Sequence, residues 1–517
     1  MESHVLQDQS EIFAFLGNPA THGLAGPVIR VDTHGAAVFL AGRDVYKIKR
    51  AVRFPFMDFS TLDKRRRACE SELAVNKANA PEIYLGVTPI SKDQNGLKLG
   101  AGGTIVEWAV HLRRFDENRT LDHLADRGEL DSAIIAKLAD VVAAAHRRAR
   151  PVIEEHATLA LQAQIEETLL SLEAAPDIFP PQGAALLRNR MTRDFERLSP
   201  LLSAREDQGL TRRCHGDLHL RNIAMIDAAP VLFDALEFDE KLATCDLLYD
   251  LGFLLMDLWT RGLRAHANLL FNRYLSTRLE AANELDGLAA LPLFLSLRAA
   301  IRAKVTALQP ARDAGHIAAA RRLFESACDF LEPAKLELIA IGGLSGTGKS
   351  SLARALSPSI GRAPGALHLR SDIERKRLYG LREFDRLPDE AYRPEISAKI
   401  YERLRNMAAV ALAAGQSVVI DAAHLKAAER LAEAYLAGRR QAYFTGLWLE
   451  APTDVLFERV ARRKDDASDA TQAVVAAQAQ EKIGAMDWER LDASASRDSL
   501  IDHALASIRR SSPSAPQ

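Results

Sequence analysis

The chain has 517 residues, too many for a single hydrophobic core, so two or more folded units of roughly 100–200 residues each are expected. Apolar residues make up 48% and charged residues 26%, and a net charge of −2 creates no global field to draw in nucleic acid or an anionic membrane. Four widely spaced cysteines (Cys69, Cys214, Cys245, Cys328) form no C-x-x-C pair, which argues against a zinc or disulfide framework and suits a reducing compartment.

The first residues, Met-Glu-Ser-His-Val, show no basic stretch leading into an apolar run. The most apolar segments, around 250–259 and 288–308, are interrupted by Asp257 and by Arg298, Arg302 and Lys304. A cytoplasmic protein without a membrane segment is expected.

Residues 28–50 alternate apolar and polar, which predicts strands at 28–31, 37–40 and 45–48. A charge-rich helix is expected over 62–78, short strands near 83–89 and 104–110, and mainly helix from 121 to 173. In the third strand the period of two puts Lys47 and Lys49 on one face. Glu72 or Glu70 on the following helix can offer an ionic partner, with Glu72 preferred.

The string His215-Gly216-Asp217-Leu218-His219-Leu220-Arg221-Asn222 carries a carboxylate and an amide five residues apart, and an apolar run ends in Asp234 twelve residues after Asn222. Asp217 can accept the proton of an attacking hydroxyl, Asn222 offers a neutral metal ligand and Asp234 a charged one. Phosphoryl transfer needs such a layout, because its catalysis is mostly positioning and divalent-cation electrostatics. Glu237, Asp239 and Asp246 can support this loop or line an acidic acceptor pocket.

The string resembles the catalytic loop of the aminoglycoside phosphotransferase and choline kinase group, in which H-G-D-x-x-x-x-N replaces H-R-D. The likeness spans most of residues 25–330, with Leu248-Tyr249-Asp250-Leu251-Gly252-Phe253 resembling the buried helix start that follows. It implies an α+β, protein-kinase-like bilobal N-terminal domain with Asp217 as catalytic base. It further implies Asn222 and Asp234 as Mg²⁺ ligands, Lys47 on the phosphates of ATP, and a nucleotide hinge at 106–110. No G-x-G-x-x-G is present; the turn at 32–36 has Gly35 alone.

A junction is expected at 331–335, where a helical pattern ends and the apolar strand 336–341 begins. Gly343-Leu344-Ser345-Gly346-Thr347-Gly348-Lys349-Ser350 follows, a complete G-x-x-x-x-G-K-S between a strand and the helix-like 351–356. Backbone N–H groups of Gly343, Gly346, Gly348 and Ser351 would cradle phosphates, with Lys349 on the β/γ oxygens and Ser350 on Mg²⁺. A strand at 367–369 ends in Arg370-Ser371-Asp372, and one at 417–420 ends in Asp421-Ala422, which lacks the glutamate of a hydrolytic ATPase. Asp372 is open to two readings, a helix cap or a group that orients an acceptor.

A third strand, 443–449, leads to a helix with Arg459, Arg462 and Arg463. This segment is similar to the small-molecule P-loop kinases: gluconate kinase, zeta-toxin-like kinases and polynucleotide kinase. The similarity implies an α/β P-loop NTPase domain with a parallel sheet. It also implies Asp421 at the metal, Asp372 on the acceptor hydroxyl, and Arg459 and Arg463 neutralising the moving phosphoryl group.

The expected organisation is therefore a first kinase domain over 1–332, a P-loop kinase domain over 333–510 and a disordered tail, 511–517. The expected function is a bifunctional transfer of phosphoryl groups from ATP, with Mg²⁺, to hydroxyls of small molecules such as sugars or amino sugars. Inactivation of aminoglycosides, and a kinase-like domain regulated by a P-loop switch, are the alternatives. No nucleic-acid partner is expected, since no basic stripe is interleaved with aromatics.

Overall fold

The computed structural model describes residues 6–33, 35–54, 57–152, 157–278, 284–308, 313–462 and 467–511. It divides into two compact units, Met1–Glu167 with Ser199–Asp257, and Thr168–Leu198 with Leu258–Gln517.

In the first unit, strands β1 (Ile29–Asp32), β2 (Ala36–Ala41), β3 (Asp44–Lys49), β6 (Tyr84–Asp93), β7 (Gly96–Leu99) and β8 (Thr104–Arg113) form an antiparallel sheet ordered β1-β2-β3-β8-β6-β7. A short hairpin, β4 (Arg53–Phe54) with β5 (Met57–Asp58), stands apart from it. Tyr46 and Ile48 pack with Phe39, Ile90 and the helix Ser10–Gly17, through Ile12 and Leu16. Burying a side chain such as Ile48 is worth about 2 kcal/mol. The alternation of the strand then sends Lys47 and Lys49 to the opposite face, toward the helix Leu62–Lys77.

That helix starts where the Thr61 hydroxyl accepts the Lys64 N–H. Its buried stripe, Arg65, Cys69, Glu72 and Asn76, has helical spacing but is mostly polar. Each polar member finds a partner. Arg65 Nε lies 2.9 Å from Glu107, and Asn76 accepts the Ala235 N–H at 2.7 Å. Glu72 meets both lysines.

Residues 106–110, expected as a nucleotide hinge, are the interior of β8. Ala109 and Val110 are paired with β3 on one side and β6 on the other, while Glu107 and Trp108 pair with β6 alone. A backbone bonded on both sides has no groups left for an adenine, so the hinge expectation fails at Ala109 and Val110.

The rest of this unit frames residues 214–222. Strand β9 (Thr211–Arg213) pairs with β12 (Thr244–Asp246), and β10 (Ile223–Ile226) with β11 (Ala229–Leu232). The helices Ser132–Arg148 and Leu247–Thr260 lie in the surrounding sequence.

The second unit is built on a fully parallel sheet: β13 (Glu337–Gly343), β14 (Leu367–Arg370), β15 (Val418–Asp421), β16 (Tyr443–Glu450) and β17 (Glu489–Asp492), ordered β14-β15-β13-β16-β17. Ile339, Ile341, Val419 and Leu447 pack against Leu352 and Leu356 of the helix Lys349–Leu356 and against Ala504 and Ile508 of the helix Arg497–Ser511. Ser511 thus ends a helix, while 512–517 lie outside the described residues. The register sets Asp421 of β15 beside Ile341 of β13, so a carboxylate stands where the glycine loop leaves the sheet.

The same unit contains the helix Arg264–Arg278. Asn268 donates to the carbonyls of Pro364 (3.0 Å) and Ala366 (3.1 Å), and Asn272 accepts the His368 N–H at 2.7 Å. This helix seats β14, the edge strand on that side of the sheet.

Between the helices Pro394–Ala413 and Ala427–Arg439, Glu433 is completely buried, with Arg405 Nη1 3.8 Å away. Burial pushes its carboxyl up to about 8, and the Arg405 charge only partly opposes this. The folded protein therefore holds a proton that the unfolded chain releases near pH 4.5, so stability falls as pH rises from about 4.5 to about 8. Glu433→Gln is expected to flatten this slope, gaining on the order of 3 kcal/mol over wild type at pH 8 relative to pH 5. Urea midpoints at the two pH values measure it; parallel behaviour of the two proteins would refute it.

Candidate active sites

The first site begins with a turn only glycine fits. Gly216 has φ +81°, and a Cβ there would stand 3.1 Å from the side chains of Leu236 and Ala243. Its N–H donates to Asp250 Oδ1 at 2.8 Å, while Asp250 Oδ2 lies 3.1 Å from His146 Nε2. Asp250 is wholly buried, so this carboxylate pins the turn from inside.

The turn presents Asp217. Asn222 Nδ2 donates to the Asp217 carbonyl (3.0 Å) and to Asp217 Oδ2 (2.9 Å), and His219 Nε2 lies 3.3 Å from the same oxygen. The Asp217 side chain stays 41% exposed, which leaves it able to meet an incoming hydroxyl.

Asp234 stands just past β11 at φ +58°, a left-handed conformation uncommon for a residue with a Cβ and often found at functional positions. Phe233 N–H donates to Asn222 O (3.0 Å) and Leu236 N–H to His215 O (2.9 Å), which lays this segment along the catalytic-loop string. Lys47 Nζ lies 2.8 Å from Asp234 Oδ1 and 2.9 Å from Glu72 Oε1. Lys49 Nζ lies 2.6 Å from Glu72 Oε2 and also pairs with Glu237.

Three carboxylates thus face two ammonium groups. Burial works against charge on Lys47, but Asp234, Glu72 and Glu237 hold its pKa well above the ordinary value. Burial likewise works against charge on Glu72, and the two lysines hold it low. The surplus negative charge, the 45% exposed Asp234 and the adjacent Asn222 fit a divalent cation.

Among the alternatives left by the sequence, Glu70 is exposed and pairs with Arg66 at 2.9 Å, so Glu72 is the partner of Lys47. Glu237 is taken by Lys49, Asp239 accepts the Leu242 N–H, and Asp246 is paired with Arg205 at 2.7 Å. These three therefore brace the loop, each with a partner of its own.

The second site is the glycine loop after β13. Gly343 has φ +135°, and a Cβ would meet Leu449 O at 2.5 Å. Lys349 Nζ curls back to the carbonyls of Gly343 (2.8 Å) and Leu344 (3.0 Å). A cavity of about 400 Å³ opens beyond the loop, lined by Gly346, Gly348, Lys349, Ser350, Ser351 and Asp421 on one side. Asp372, Arg375, Tyr392, Ser397 and Lys426 belong to the same lining.

Asp421 lies 3.3 Å from His368 Nε2 and 3.7 Å from Arg370 Nε. Burial would raise its carboxyl, but the His368 bond and the charges of His368, Arg370 and Lys349 hold it well below the usual range. Asp372 behaves oppositely: burial, then the neighbouring Asp421, push it up. Paired acids with opposed shifts can divide the work of metal holding and proton acceptance. The helix Ser371–Leu378 has no side-chain cap bond, so Asp372 faces the cavity from its first turn instead of capping it.

Arg459 is not brought to the loop. The helix Thr453–Arg462 turns Leu456 and Val460 inward, where both would touch a Cβ on Gly346. Arg459 on the exposed flank donates instead to Ala493 O at 2.9 Å. Arg463 lies outside the described residues.

Several site residues escaped the sequence reading. His368 and Arg370 carried a signal in their alternation along β14, which points both at Asp421. Gln478, which accepts the Ser345 N–H at 2.8 Å, and Tyr84, whose hydroxyl accepts the Asp234 N–H at 3.2 Å, carried none.

Residues 66–291 match the family described as Phosphotransferase enzyme family, and residues 338–482 match the AAA domain family. Uncharacterized proteins of Mycobacterium tuberculosis and Mycobacterium bovis are 27% identical over 485 residues, which is 92% of this chain and 94% of theirs. A solved gluconokinase from Sinorhizobium meliloti is 23% identical, with 34% of this chain and 92% of that chain covered and a TM-score of 0.24. An aminoglycoside phosphotransferase from Alicyclobacillus acidocaldarius is 16% identical, covering 59% and 90%, at a TM-score of 0.35. A choline kinase from Cryptosporidium parvum is 13% identical, covering 63% and 93%, at 0.37. Residues 66–291 are thus similar to a phosphotransferase family and are followed by a P-loop segment similar to the AAA domain, and the chain is an ATP-dependent phosphotransferase.

Asp250→Ala would remove the buried carboxylate that the Gly216 N–H and His146 Nε2 share. A loss of about 2–4 kcal/mol in urea unfolding is expected. A change within 0.5 kcal/mol would show that this carboxylate does not hold the turn.

Proposed function

We propose that the chain is a bifunctional kinase in which each site moves the γ-phosphoryl group of ATP to a hydroxyl of its own small acceptor. Sugars and amino sugars are the acceptor class we assign. The observation that carries the proposal is that each compact unit holds its own full set of groups: an acceptor-facing acid, a phosphate-directed lysine and a carboxylate suited to a divalent cation.

In the first site Asp217 takes the acceptor proton, held in place by Asn222 and by the Asp250-pinned turn. Lys47, released from Asp234 when nucleotide enters, binds phosphate oxygens while Glu72 keeps it oriented. In the second, the amides of Gly346, Gly348 and Ser351 surround the phosphates, Lys349 swings from its loop carbonyls to the transferred group, and Asp372 accepts the proton. Asn222 and Asp234 in one site, and Ser350 and Asp421 in the other, would hold Mg²⁺. The ion supplies neutralisation of phosphate charge.

The sugar assignment rests on the polar lining opposite the loop, where Tyr392, Ser397, Tyr401, Lys426 and Glu429 offer hydrogen bonds suited to a polyol. An aminoglycoside, as a polycation, is supported less. The acids that could have received it, Glu237, Asp239 and Asp246, are engaged within the fold. We divide the chain functionally at residues 332 and 333, with the first activity before that point and the second after it.

Calorimetric titration with Mg-ATP is expected to find two sites per chain, with Lys349→Ala removing one of them. Asp217→Asn should keep both nucleotide sites yet lower first-site transfer by about 10²–10⁴-fold. Mass spectrometry of products from a panel of sugars, amino sugars, nucleosides and aminoglycosides identifies the acceptors. Near-full first-site turnover in Asp217→Asn would overturn the base assignment, and a single nucleotide site in wild type would overturn bifunctionality.

A further inference from the structure

A second cavity in the first unit, of about 380 Å³, lies against the catalytic-loop string. Its walls include Val75 on the helix Leu62–Lys77, together with Leu218, Leu232 and Ala235, which are apolar. His215 and Leu218, the residues on either side of the Gly216–Asp217 pair, both line it. None of the chemistry assigned above uses this space.

Two features of the lining point to a ligand. The first is charge. Arg148, Arg150 and Arg213 line the cavity, and among the acids there Asp250 is committed to the Gly216 N–H and His146. Glu240 is the remaining acid, 3.8 Å from Arg150 Nη2. Arg148 is bonded to the neutral Asn79 at 2.8 Å, and Arg213 to the carbonyls of Cys214 (2.9 Å) and Leu236, so neither of these bonds offsets a charge. The second feature is His215, which is 6% exposed. Its Nε2 lies 2.9 Å from Phe233 O and so carries the proton, while its buried Nδ1 has no hydrogen-bond partner among the described residues. A buried acceptor without a donor costs about 1–3 kcal/mol unless something supplies one.

We infer that this cavity is a binding site for a small organic acid: an apolar or aromatic body on the Val75–Leu218–Leu232 surface, an anionic group at the arginines and a hydroxyl or N–H donated to His215 Nδ1. A cavity of this volume accommodates a ligand of one or two rings. Because its lining includes both neighbours of the Gly216–Asp217 turn, an occupant bears directly on the loop that presents Asp217.

Three related probes separate the contributions: 4-hydroxybenzoate, which has body, anion and donor; benzoate, which lacks the donor; and 4-hydroxybenzyl alcohol, which lacks the charge. Each is titrated by calorimetry into the full chain saturated with Mg-ATP, so that the nucleotide sites are occupied. 4-Hydroxybenzoate is expected to bind at least tenfold more tightly than either of the others. Ala74→Phe, which projects a ring into the cavity from an exposed helix position, should abolish binding. The double variant Arg148→Ala/Arg150→Ala should weaken it at least tenfold. Unchanged Mg-ATP titrations in both variants establish that they are folded. Absence of 4-hydroxybenzoate binding to wild type, or binding unaffected by either variant, would overturn the inference.

Discussion

Glu72 has no contact with water, and a carboxylate in that position stays ionised only because two lysines face it. From this one buried charge the geometry of the first site follows. Lys47 and Lys49 come from the same face of β3, so holding both sets the angle between sheet and helix. Each lysine then reaches a further acid, Asp234 or Glu237, from the segment that follows β11. Removing Glu72 would take a partner from both lysines at once, and removing both lysines would strand its buried charge, which makes these groups a unit and not a set of separable bridges.

The two sites solve the same electrostatic problem with opposite balances. Around Lys47 acids outnumber bases, which suits a site that takes up nucleotide together with a divalent cation. Around Lys349 the reverse holds: His368, Arg370 and Lys349 surround Asp421, and that carboxylate is strongly ionised as a result. Asp372, in the same cavity, is pushed toward protonation by burial and by Asp421, and the charges of Arg370 and Lys349 oppose this only in part. Proximity of the two carboxylates keeps their affinities for protons apart, which is what a division into metal holder and proton acceptor requires.

Much of this was legible in the chain. The glycine loop and its strand were readable because backbone N–H cradles demand glycine at set spacings, and Asp217, Asn222 and Asp234 because their spacing reflects one turn and one hairpin. The helix Leu62–Lys77 shows why other parts were not. Its buried stripe is mostly polar, so apolar periodicity says nothing about which face turns inward, and the choice between Glu72 and Glu70 is settled by the ion pairs of the folded chain. The hinge expectation fails at Ala109 and Val110 because an apolar run can be a strand interior paired on both sides as easily as a strand end. Arg459 was misassigned because helical spacing identifies a face but not its neighbour, and Leu456 and Val460 had the stronger claim to the loop.

The asparagines that seat β14 bear on how such a protein can be dissected. The helix Arg264–Arg278 falls within the residues matched to the phosphotransferase family, yet it belongs to the compact unit of the parallel sheet. A shortened chain beginning at residue 333 would keep every phosphate-binding group and lose Asn268 and Asn272. The carbonyls of Pro364 and Ala366 and the His368 N–H would then face solvent at an uncovered sheet edge, two residues from Arg370 and beside Asp421. The family match and the compact units are thus cut along different lines in this polypeptide. A transplantable version of its P-loop unit has to carry a helix that lies within the phosphotransferase match.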